Sequence, residues 1–444
     1  KTFKLEGENL TELKHLEKSG GGSSWVDVHP KLPLVATLSY NETQKFKLWR
    51  FDSENNGKDE SLIELSGCGN KAYSATINNT RWSLDGRYLA FVSDNSSGVQ
   101  GGIFRFEYGT MTRLFDSNIN NASGVQLMDA SWHPSGKYLA YVGFNSNPGT
   151  SISLSVSKFD GVKATKLSGC DYAYAGEHTK GVAWHPSGKY LAISGGVVSD
   201  SVKCFKFENE ALTVISGCNF AHGGTGTVNA ISWHPSGAFL AMSGNAGGDG
   251  KHVRILKFTG TAFTDIATFD HGGQPVNEVK WSPSGKFLLI SGNAGSNGNH
   301  VRILEFSGSA LALLTSDTGD FTTVDWGDAD WAPDEKSFVT TSGSTLDTYT
   351  LHGFDGTRTT TIKEFTDSAY SAFNLKFHPS GDYVSFNANN FQVLPLKNRK
   401  SLQGWASDSE TEETAITSDI SVIQSDIGAD SNATAVLKRD SINK

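Results

Sequence analysis

The stretch WHPSGKYLA occurs twice without a change, at residues 132–140 and again at residues 184–192. In its four letters His-Pro-Ser-Gly, proline presets the backbone for the second position of a turn and glycine suits the fourth. The letters that follow begin a short apolar run, which is typical of a strand. Each copy therefore predicts a type I turn between two short β-strands.

Related segments recur along the chain. The position taken by the tryptophan is found at 28, 82, 132, 184, 233, 281, 331 and 377, with spacings of 46 to 54 residues. A repeat of this period indicates tandem copies of one supersecondary unit, and it outweighs the length of 444 residues as a guide to the number of domains. The pattern predicts eight units.

The unit that begins near residue 182 shows what one copy contains. Its first two strands flank the turn, a loop rich in Gly, Asp and Ser follows, and the runs VKCFKF and LTVIS flank a second turn. A sheet of four short antiparallel strands buries both of its faces only when such sheets stack on one another. We therefore predict an all-β fold, a single eight-bladed β-propeller of four-stranded blades.

The segment V-x-W-x-P-x-G-x-x-L-A-x-x-S resembles the first two strands of the WD40-repeat class of propellers, and the resemblance covers nearly all of residues 3–397. The Trp-Asp pair that names the family is replaced by FKF, LKF and LEF. The family's Gly-His element survives only in part, as His178, His222 and His271. The resemblance implies the propeller fold with an incomplete version of the family's buried hydrogen-bond network.

The two ends of the chain have to close the ring. The N-terminal TFKLEGENLTELKHL matches the third and fourth strands of a unit, whereas the last motif supplies the first two strands and FQVLPLK from Phe391 resembles a third. We expect residues near Leu10 to Leu16 to complete the last blade. TFKL and FQVLPLK compete for one place, and the sequence leaves that competition open.

The repeat pattern stops near residue 401, so we divide the chain into a propeller at 1–403 and a tail at 404–444. The tail contains the acidic linker ASDSETEE at 406–413, followed by four isoleucines with the spacing of a coiled-coil seam: Ile416, Ile420, Ile423 and Ile427. This spacing predicts a short helical or coiled-coil C-terminal tail that joins identical chains in a homo-oligomer. The alternatives are a helix packed on the propeller and a tail without fixed structure.

Five units have a histidine directly before the proline of the turn: His29, His133, His185, His234 and His378. Other units have serine or alanine in that place. A metal ligand or a catalytic base would not be distributed over five blades. We interpret these histidines as structural parts of the turn.

The loops before the first strands and between the second and third strands form one rim of the predicted propeller. Aromatic and histidine side chains in these loops are our candidates for binding protein partners: Tyr73, Tyr172, Tyr174, His178, Phe220, His222, His271 and Tyr370. For the three histidines, the alternative is hydrogen bonding inside the sheet. Copies on adjacent blades would lie about 10–15 Å apart, too far for one metal ion.

No metal, cofactor or catalytic site is predicted. The near-identical loops that start at Gly244 and Gly292 offer oxygen atoms of the kind that calcium prefers, but Asp249 is their only carboxylate. The sequence contains no GxSxG, Walker or HExxH motif. The four cysteines form no CxxC, and a disulfide between Cys204 and Cys218 across one hairpin stays open.

Charge and hydropathy exclude two kinds of partner. The formal net charge is −9 and there is no basic stripe, so nucleic acid is not an expected partner. No apolar run approaches the roughly 18 residues of a membrane span. The first residue is not methionine, which we interpret as a processed chain, compatible with a secreted or cell-surface location; a cytoplasmic location stays open.

We therefore expect a non-enzymatic scaffold that binds protein partners or identical chains, for example as the head of a self-associating surface or filament assembly. The alternative is a propeller enzyme of the lactonase or hydrolase type, with a polar or metal site at the central channel. Analogy of fold alone cannot establish that activity. A third hypothesis is a structural subunit whose N-terminal strands exchange between chains.

Overall fold

The computed structural model describes the chain with gaps. The described residues are 2–6, 9–13, 23–39, 46–51, 62–65, 68, 77–94, 98–119, 125–145, 153–173, 179–196, 201–223, 227–293, 300–314, 320–321, 328–342, 347–367, 373–381, 383–387 and 391–395. The tail predicted at 404–444, with its four isoleucines, lies outside them.

The described residues form antiparallel sheets of consecutive strands. An N-terminal hairpin pairs two strands, β1 (Thr2–Glu6) and β2 (Asn9–Leu13). Seven four-stranded blades follow in chain order, and we number them 1 to 7.

Blade 1 consists of β3 (Ser23–Val28), β4 (Leu34–Ser39), β5 (Phe46–Phe51) and β6 (Leu62–Glu64), and blade 2 of β7 (Ile77–Trp82), β8 (Tyr88–Ser93), β9 (Gly101–Glu107) and β10 (Thr110–Ile119). Blade 3 consists of β11 (Val125–Trp132), β12 (Tyr138–Asn145), β13 (Leu154–Phe159) and β14 (Ala164–Lys166), and blade 4 of β15 (Thr179–Trp184), β16 (Tyr190–Gly195), β17 (Val202–Glu208) and β18 (Ala211–Val214).

Blade 5 consists of β19 (Val228–Trp233), β20 (Phe239–Gly244), β21 (Val253–Phe258) and β22 (Phe263–Phe269). Blade 6 consists of β23 (Val276–Trp281), β24 (Phe287–Gly292), β25 (Val301–Phe306) and β26 (Leu311–Leu313), and the short β27 (Asp320–Phe321) also pairs with β25. Blade 7 consists of β28 (Ala329–Trp331), β29 (Ser337–Ser342), β30 (Asp347–Phe354) and β31 (Thr359–Asp367). A three-stranded sheet, which we call the closing sheet, consists of β32 (Phe373–Phe377), β33 (Tyr383–Asn387) and β34 (Phe391–Pro395).

The prediction of eight four-stranded blades is therefore wrong, and the predicted helical tail lies outside the described residues. The structure has seven four-stranded blades, and the eighth copy of the motif lies in the three-stranded closing sheet. The motif marks only the first two strands of a unit, so a count of motifs does not count complete blades. The part of the chain that the structure describes contains no α-helix, only a 3-10 turn at Ser168–Cys170.

The competition between the two ends is resolved in favour of the C-terminal strand. β34 pairs with β33 as its third strand, from Tyr383 opposite Pro395 to Asn387 opposite Phe391. β1 lies beside β34 and pairs with β2. The closing sheet also meets blade 1: Lys376 Nζ lies 3.2 Å from Asp27 Oδ1.

The hydrophobic core lies between blades rather than inside any one of them. In β16, five of the six residues are buried, because neighbouring blades cover both faces of the strand and favour an uninterrupted apolar run. One core cluster joins Val142 and Val156 of blade 3 to Trp184, Ile193 and Phe205 of blade 4. A blade therefore depends on its neighbours for burial.

The antiparallel order gives the ring two different faces. Turns between first and second strands, and between third and fourth strands, lie on one face, which we call the turn face. Loops between second and third strands, and connections from one blade to the next, lie on the opposite face, the loop face. Among the residues described, no helix is long and apolar enough to cross a membrane.

Candidate interaction surfaces and central channel

Each histidine of the repeated turn bonds to the next sheet in the ring. His133 Nε2 lies 2.9 Å from the carbonyl oxygen of Gly188, and His185 Nε2 lies 2.9 Å from that of Gly237. The same bond recurs at 2.8 to 3.1 Å for the other three pairs: His29 with Gly86, His234 with Gly285, and His378 with Leu32. These histidines therefore connect neighbouring sheets. Four of the pairs are 51 to 57 residues apart in the sequence, and the fifth, His378 with Leu32, joins residues 346 apart.

The second ring nitrogen closes the histidine's own turn. The backbone N–H of Ser187 donates to His185 Nδ1 at 3.0 Å, so Nε2 carries the proton that is donated to Gly237. Burial lowers the pKa of His185 against the opposing effect of the Gly237 bond, which keeps the ring neutral near pH 7. Both nitrogens are occupied, which supports the structural interpretation over a metal or acid–base role.

A tryptophan makes the contact between blades reciprocal. The His185 ring of blade 4 packs edge-on against Trp233 of blade 5, with ring centroids 4.8 Å apart. Trp233 Nε1 donates back to the carbonyl oxygen of Ala183 in blade 4 at 3.2 Å. The motif residues Trp, His and Gly thus form one repeated connection on the turn face.

The glycine of the turn is required at positions that face a histidine. Gly237 has a φ of +75°, in the left-handed region that favours glycine, and a Cβ there would overlap the imidazole of His185. Gly136 has a similar φ of +70°, but a Cβ there would meet nothing within 4 Å, because blade 2 carries Ser83 where blade 4 carries a histidine.

The central channel is lined by aspartates that bind the backbone of the next inner strand. An innermost strand has no partner on its channel side, so its free N–H groups need another acceptor. Four carboxylates accept such bonds at 2.7 to 3.2 Å: Asp27 from Trp82, Asp129 from Val182, Asp328 from Leu375, and Asp330 from Phe377. These carboxylates are parts of the ring's own structure.

Cations in the channel neutralise the same carboxylates. Lys280 Nζ lies 3.3 Å from Asp328 and 3.7 Å from Asp330, and Arg81 lies 3.0 Å from Asp129. Burial lowers the pKa of Lys280, but the carboxylates of Asp328 and Asp330 outweigh that effect and hold it above its usual value. The channel wall is therefore polar, and these aspartates are paired with cations.

The channel does not present a metal centre within the described residues. Burial raises the pKa of Glu278, a further carboxylate near Lys280. No group of three or more His, Cys, Asp or Glu side chains in the described ranges is arranged to hold a metal ion. The channel could position a small polar molecule, but its four aspartates already bind backbone amides and pair with lysine or arginine side chains.

The structure describes half of the predicted partner-binding residues. Tyr73, Tyr174, His178 and Tyr370 lie outside the described residues. Tyr172 is half-buried at the loop face, with its ring 5.0 Å from that of Phe205. The role of the predicted residues in partner binding stays a prediction.

The other three predicted residues lie near two arginines that the sequence analysis missed. The ring of Phe220 lies 5.8 Å from the guanidinium carbon of Arg254. His222 and His271 are only 2% and 0% exposed, so the residues next to them, rather than their rings, are accessible to a partner. The structure brings Phe220 and His222 together around Arg254, and His271 beside Arg302, which donates to its carbonyl oxygen at 3.2 Å.

Arg254 is the centre of a buried network in blade 5. Its Nε donates to His222 Nδ1 at 3.0 Å, and its terminal nitrogens bond to Asp249 and Asp265 at 2.5 Å each. His222 Nε2 lies 2.7 Å from the carbonyl oxygen of Asn245. In the sequence, Arg254 and Arg302 each end the triplet HVR, which occurs after both of the near-identical loops that start at Gly244 and Gly292. This repetition was the signal that could have identified the arginines.

This network also occupies the only carboxylate of the loops considered for calcium. Burial opposes ionisation of Asp249, but the bonds from Arg254 hold its pKa below the usual value. Asp249 also accepts the backbone N–H of Lys251 at 3.2 Å. The carboxylate therefore fixes its own loop.

The four cysteines are buried, and none of them forms a disulfide. Cys170 Sγ donates to the carbonyl oxygen of Glu210 at 3.3 Å, in the next blade. Cys204 and Cys218 belong to one core cluster, and burial raises the pKa of Cys204. No disulfide joins them in the structure.

Comparisons with known proteins agree with this architecture. The family profile described as WD domain, G-beta repeat, matches residues 213–255 and 263–304. The comparison with curated proteins gave no match. Among similar solved structures, Sqt1 of Chaetomium thermophilum, bound to the N-terminus of the ribosomal protein L10, is 14% identical with a TM-score of 0.63 over 84% of this chain and 97% of that one.

Two further structures have the same likeness. A protein from Lactobacillus plantarum is 15% identical, with a TM-score of 0.55 over 78% of this chain and 96% of that one. A chain of the mitotic checkpoint complex is 14% identical, with a TM-score of 0.54 over 78% of this chain and 98% of that one. At these identities the likeness shows the fold alone.

Proposed function

We propose that this chain, a β-propeller that carries WD40 repeats, is a non-enzymatic scaffold that binds protein partners through its loop face. The observation that carries this proposal is the use of its polar side chains. The histidines of the turns and the aspartates of the channel, residue types that often serve catalysis, are engaged in bonds between neighbouring sheets. Such bonds stiffen a ring that holds loops of different sequence in fixed positions.

The enzyme alternative requires channel carboxylates that are free to take up a substrate or a metal. Asp328 and Asp330 instead accept backbone N–H groups and pair with Lys280. A substrate would have to break bonds that hold the closing sheet to blade 7. This arrangement favours the scaffold over a hydrolase.

A protein partner is also supported by the similar structures. Sqt1 was solved with the N-terminus of a ribosomal protein, and the checkpoint chain was solved within a protein complex. On the loop face of this chain, Phe220 lies half-buried between the exposed Asn219 and Ala221. An aromatic residue in such a position is a typical anchor for a partner.

The test is affinity capture from an extract of the native source with the full chain as bait. Each captured protein is then purified, and its affinity is measured for three baits: the unchanged chain, the double variant Asn219→Arg with Ala221→Arg, and Val162→Arg. Val162 is 59% exposed on the turn face and serves as the matched control.

We expect saturable binding that weakens at least tenfold in the double variant and is unchanged in Val162→Arg. A partner that loses affinity only in Val162→Arg would place binding on the turn face and overturn the proposal. Turnover of a lactone or glycoside without any saturable protein partner would favour the enzyme instead.

A further inference from the structure

The turn face of blades 3 to 6 carries a concentration of exposed lysines, which we call the lysine arc. Its members lie at the starts of second strands, at the ends of third strands and in one outer turn: Lys137, Lys158, Lys163, Lys189, Lys206, Lys257 and Lys286. The whole chain has a formal net charge of −9. The arc therefore has the opposite charge to the protein around it.

The carboxylates within the arc are already engaged. Three of them form ion pairs with lysines of the arc: Lys158 with Glu210 at 2.6 Å, Lys206 with Glu208 at 2.7 Å, and Lys286 with Glu305 at 3.3 Å. The fourth, Asp160, accepts the backbone N–H groups of Val162 and Lys163 at 2.9 and 2.7 Å.

Four lysines remain without an ion pair to any described carboxylate: Lys137, Lys163, Lys189 and Lys257. They lie on blades 3, 4 and 5, which are consecutive in the ring. A further acid on this face, Glu335 of blade 7, is bonded to Ser284 Oγ at 2.7 Å. The four ammonium groups are thus available to an acidic ligand.

Apolar groups lie between these lysines. The prolines of three turns, Pro186, Pro235 and Pro283, are exposed, and Val162 is 59% exposed. A nucleic acid would use the lysines but not this apolar surface. A peptide with neighbouring acidic and apolar side chains would use both.

The chain itself contains such a peptide. Residues 401–413 read SLQGWASDSETEE, in which Leu402 and Trp405 precede four acidic residues, Asp408, Glu410, Glu412 and Glu413. This segment lies outside the described residues. Its charge and its apolar residues complement the lysine arc.

The path of the chain allows the segment to reach that surface. Third strands run from the loop face to the turn face, so β34 ends at Pro395 on the face that carries the arc. Nine residues, 396–404, precede Trp405 and span at most about 30 Å. Sheets packed about 10 Å apart form a ring whose diameter, measured through the middle of the sheets, is roughly 25 Å. The segment is therefore long enough to cross the turn face.

We propose that residues 401–413 of this chain bind to the lysine arc of the same molecule, with the carboxylates on the four unpaired lysines and Trp405 on the prolines. The segment then covers much of the turn face and leaves the loop face to partners. This inference does not depend on the proposed scaffold function, since an enzyme could carry the same contact.

The test is zero-length carbodiimide cross-linking of the full chain, read by mass spectrometry on an equal mixture of isotopically light and heavy protein. We expect cross-links from the carboxylates of 408–413 to Lys137, Lys163, Lys189 or Lys257, within light or heavy molecules only. They should decrease at least fivefold in 1 M NaCl, because exposed charge pairs are screened by salt.

Two variants separate this contact from a general attraction. Neutralising the tail with Asp408→Asn, Glu410→Gln, Glu412→Gln and Glu413→Gln should raise the acetylation rate of the four arc lysines at least fivefold. Lys251, on the loop face, is the control and should react at an unchanged rate.

Three results would overturn the inference. Mixed light–heavy cross-links would assign the occupant to a second copy of the chain. Cross-links to Lys251 as frequent as those to the arc would show that the surface is not selective. Acetylation rates that do not respond to tail neutralisation would show that the arc is uncovered.

Discussion

The contact between a histidine and the glycine of the next blade can be tested with two matched substitutions, Gly237→Ala and Gly136→Ala. Both glycines hold the same place in the repeated turn and both have left-handed backbones, with φ of +75° and +70°. They differ in what a methyl group would meet. At Gly237 it would overlap the ring of His185, whereas at Gly136 nothing lies within 4 Å.

The expected magnitudes follow from this difference. A left-handed alanine costs about 1–2 kcal/mol, and this cost is common to both variants. In Gly237→Ala, His185 also has to leave its place. It then loses a hydrogen bond to the Gly237 carbonyl worth about 1 kcal/mol and an edge contact to Trp233 worth about 0.5–1.5 kcal/mol. A turn bond to Ser187 adds about 1 kcal/mol.

Gly237→Ala should therefore lower the free energy of unfolding by about 2.5–3.5 kcal/mol more than Gly136→Ala does. The assay is denaturation in guanidinium chloride at pH 7.5, followed by tryptophan fluorescence. The double variant His185→Ala with Gly237→Ala removes the overlap, so its cost should be smaller than the sum of the two single costs. Equal losses in the two glycine variants, or full additivity in the double variant, would refute the reasoning.

Three further predictions concern buried polar groups. Burial lowers the pKa of His29 and His271 to about 4, so between pH 4 and about 6.5 the unfolded chain binds more protons than the folded chain. The folded state therefore keeps its stability above about pH 6.5 and loses stability as the pH decreases through this interval. Thermal denaturation should show a lower Tm at pH 5 than at pH 7.5. Arg254→Met leaves two carboxylates without their cation and should cost about 3 kcal/mol in the same denaturant assay. The buried Cys204 thiol, whose pKa burial raises, should not react with Ellman's reagent until the protein unfolds.

The propeller fold could be predicted because its determinants are local and repeated. Trp184, the turn after it and the apolar run of β16 are adjacent in the sequence, and the structure confirms the two strands and the turn between them. The number of complete blades could not be predicted in this way. It depends on which fourth strands pair, and among the described residues no fourth strand is paired to β34 in its sheet.

The polar networks were harder to predict because their partners are distant in the sequence or come from unremarkable positions. Arg254 bonds to His222, 32 residues earlier, and to Asp265, 11 residues later. The sequence marked His222 as a candidate but gave no reason to choose Arg254 among the basic residues. The periodicity of the sequence indicates which residues are buried and where turns occur. Which side chains become hydrogen-bond partners depends on how the blades pack against each other.

The units that lack the histidine show what that residue does. Comparison of the repeats suggested a replaceable residue, since Ser282 holds the same place in blade 6. In the following blade, the glycine of the turn is replaced as well, by Glu335 with a φ of +59°. A side chain fits there because no imidazole occupies the space.

Glu335 also restores the lost connection between the two blades. Its carboxylate accepts the backbone N–H of Ser284 at 2.8 Å and the hydroxyl of the same serine at 2.7 Å. In blade 1, where no residue of the turn is left-handed, Leu32 still offers its carbonyl oxygen to His378 at 2.8 Å. Where the turn of one sheet is bonded to the turn of the next, the commonest pair in this chain is a histidine with a glycine. The letters His and Gly of WHPSG are therefore coupled across blades rather than within the turn where they are read.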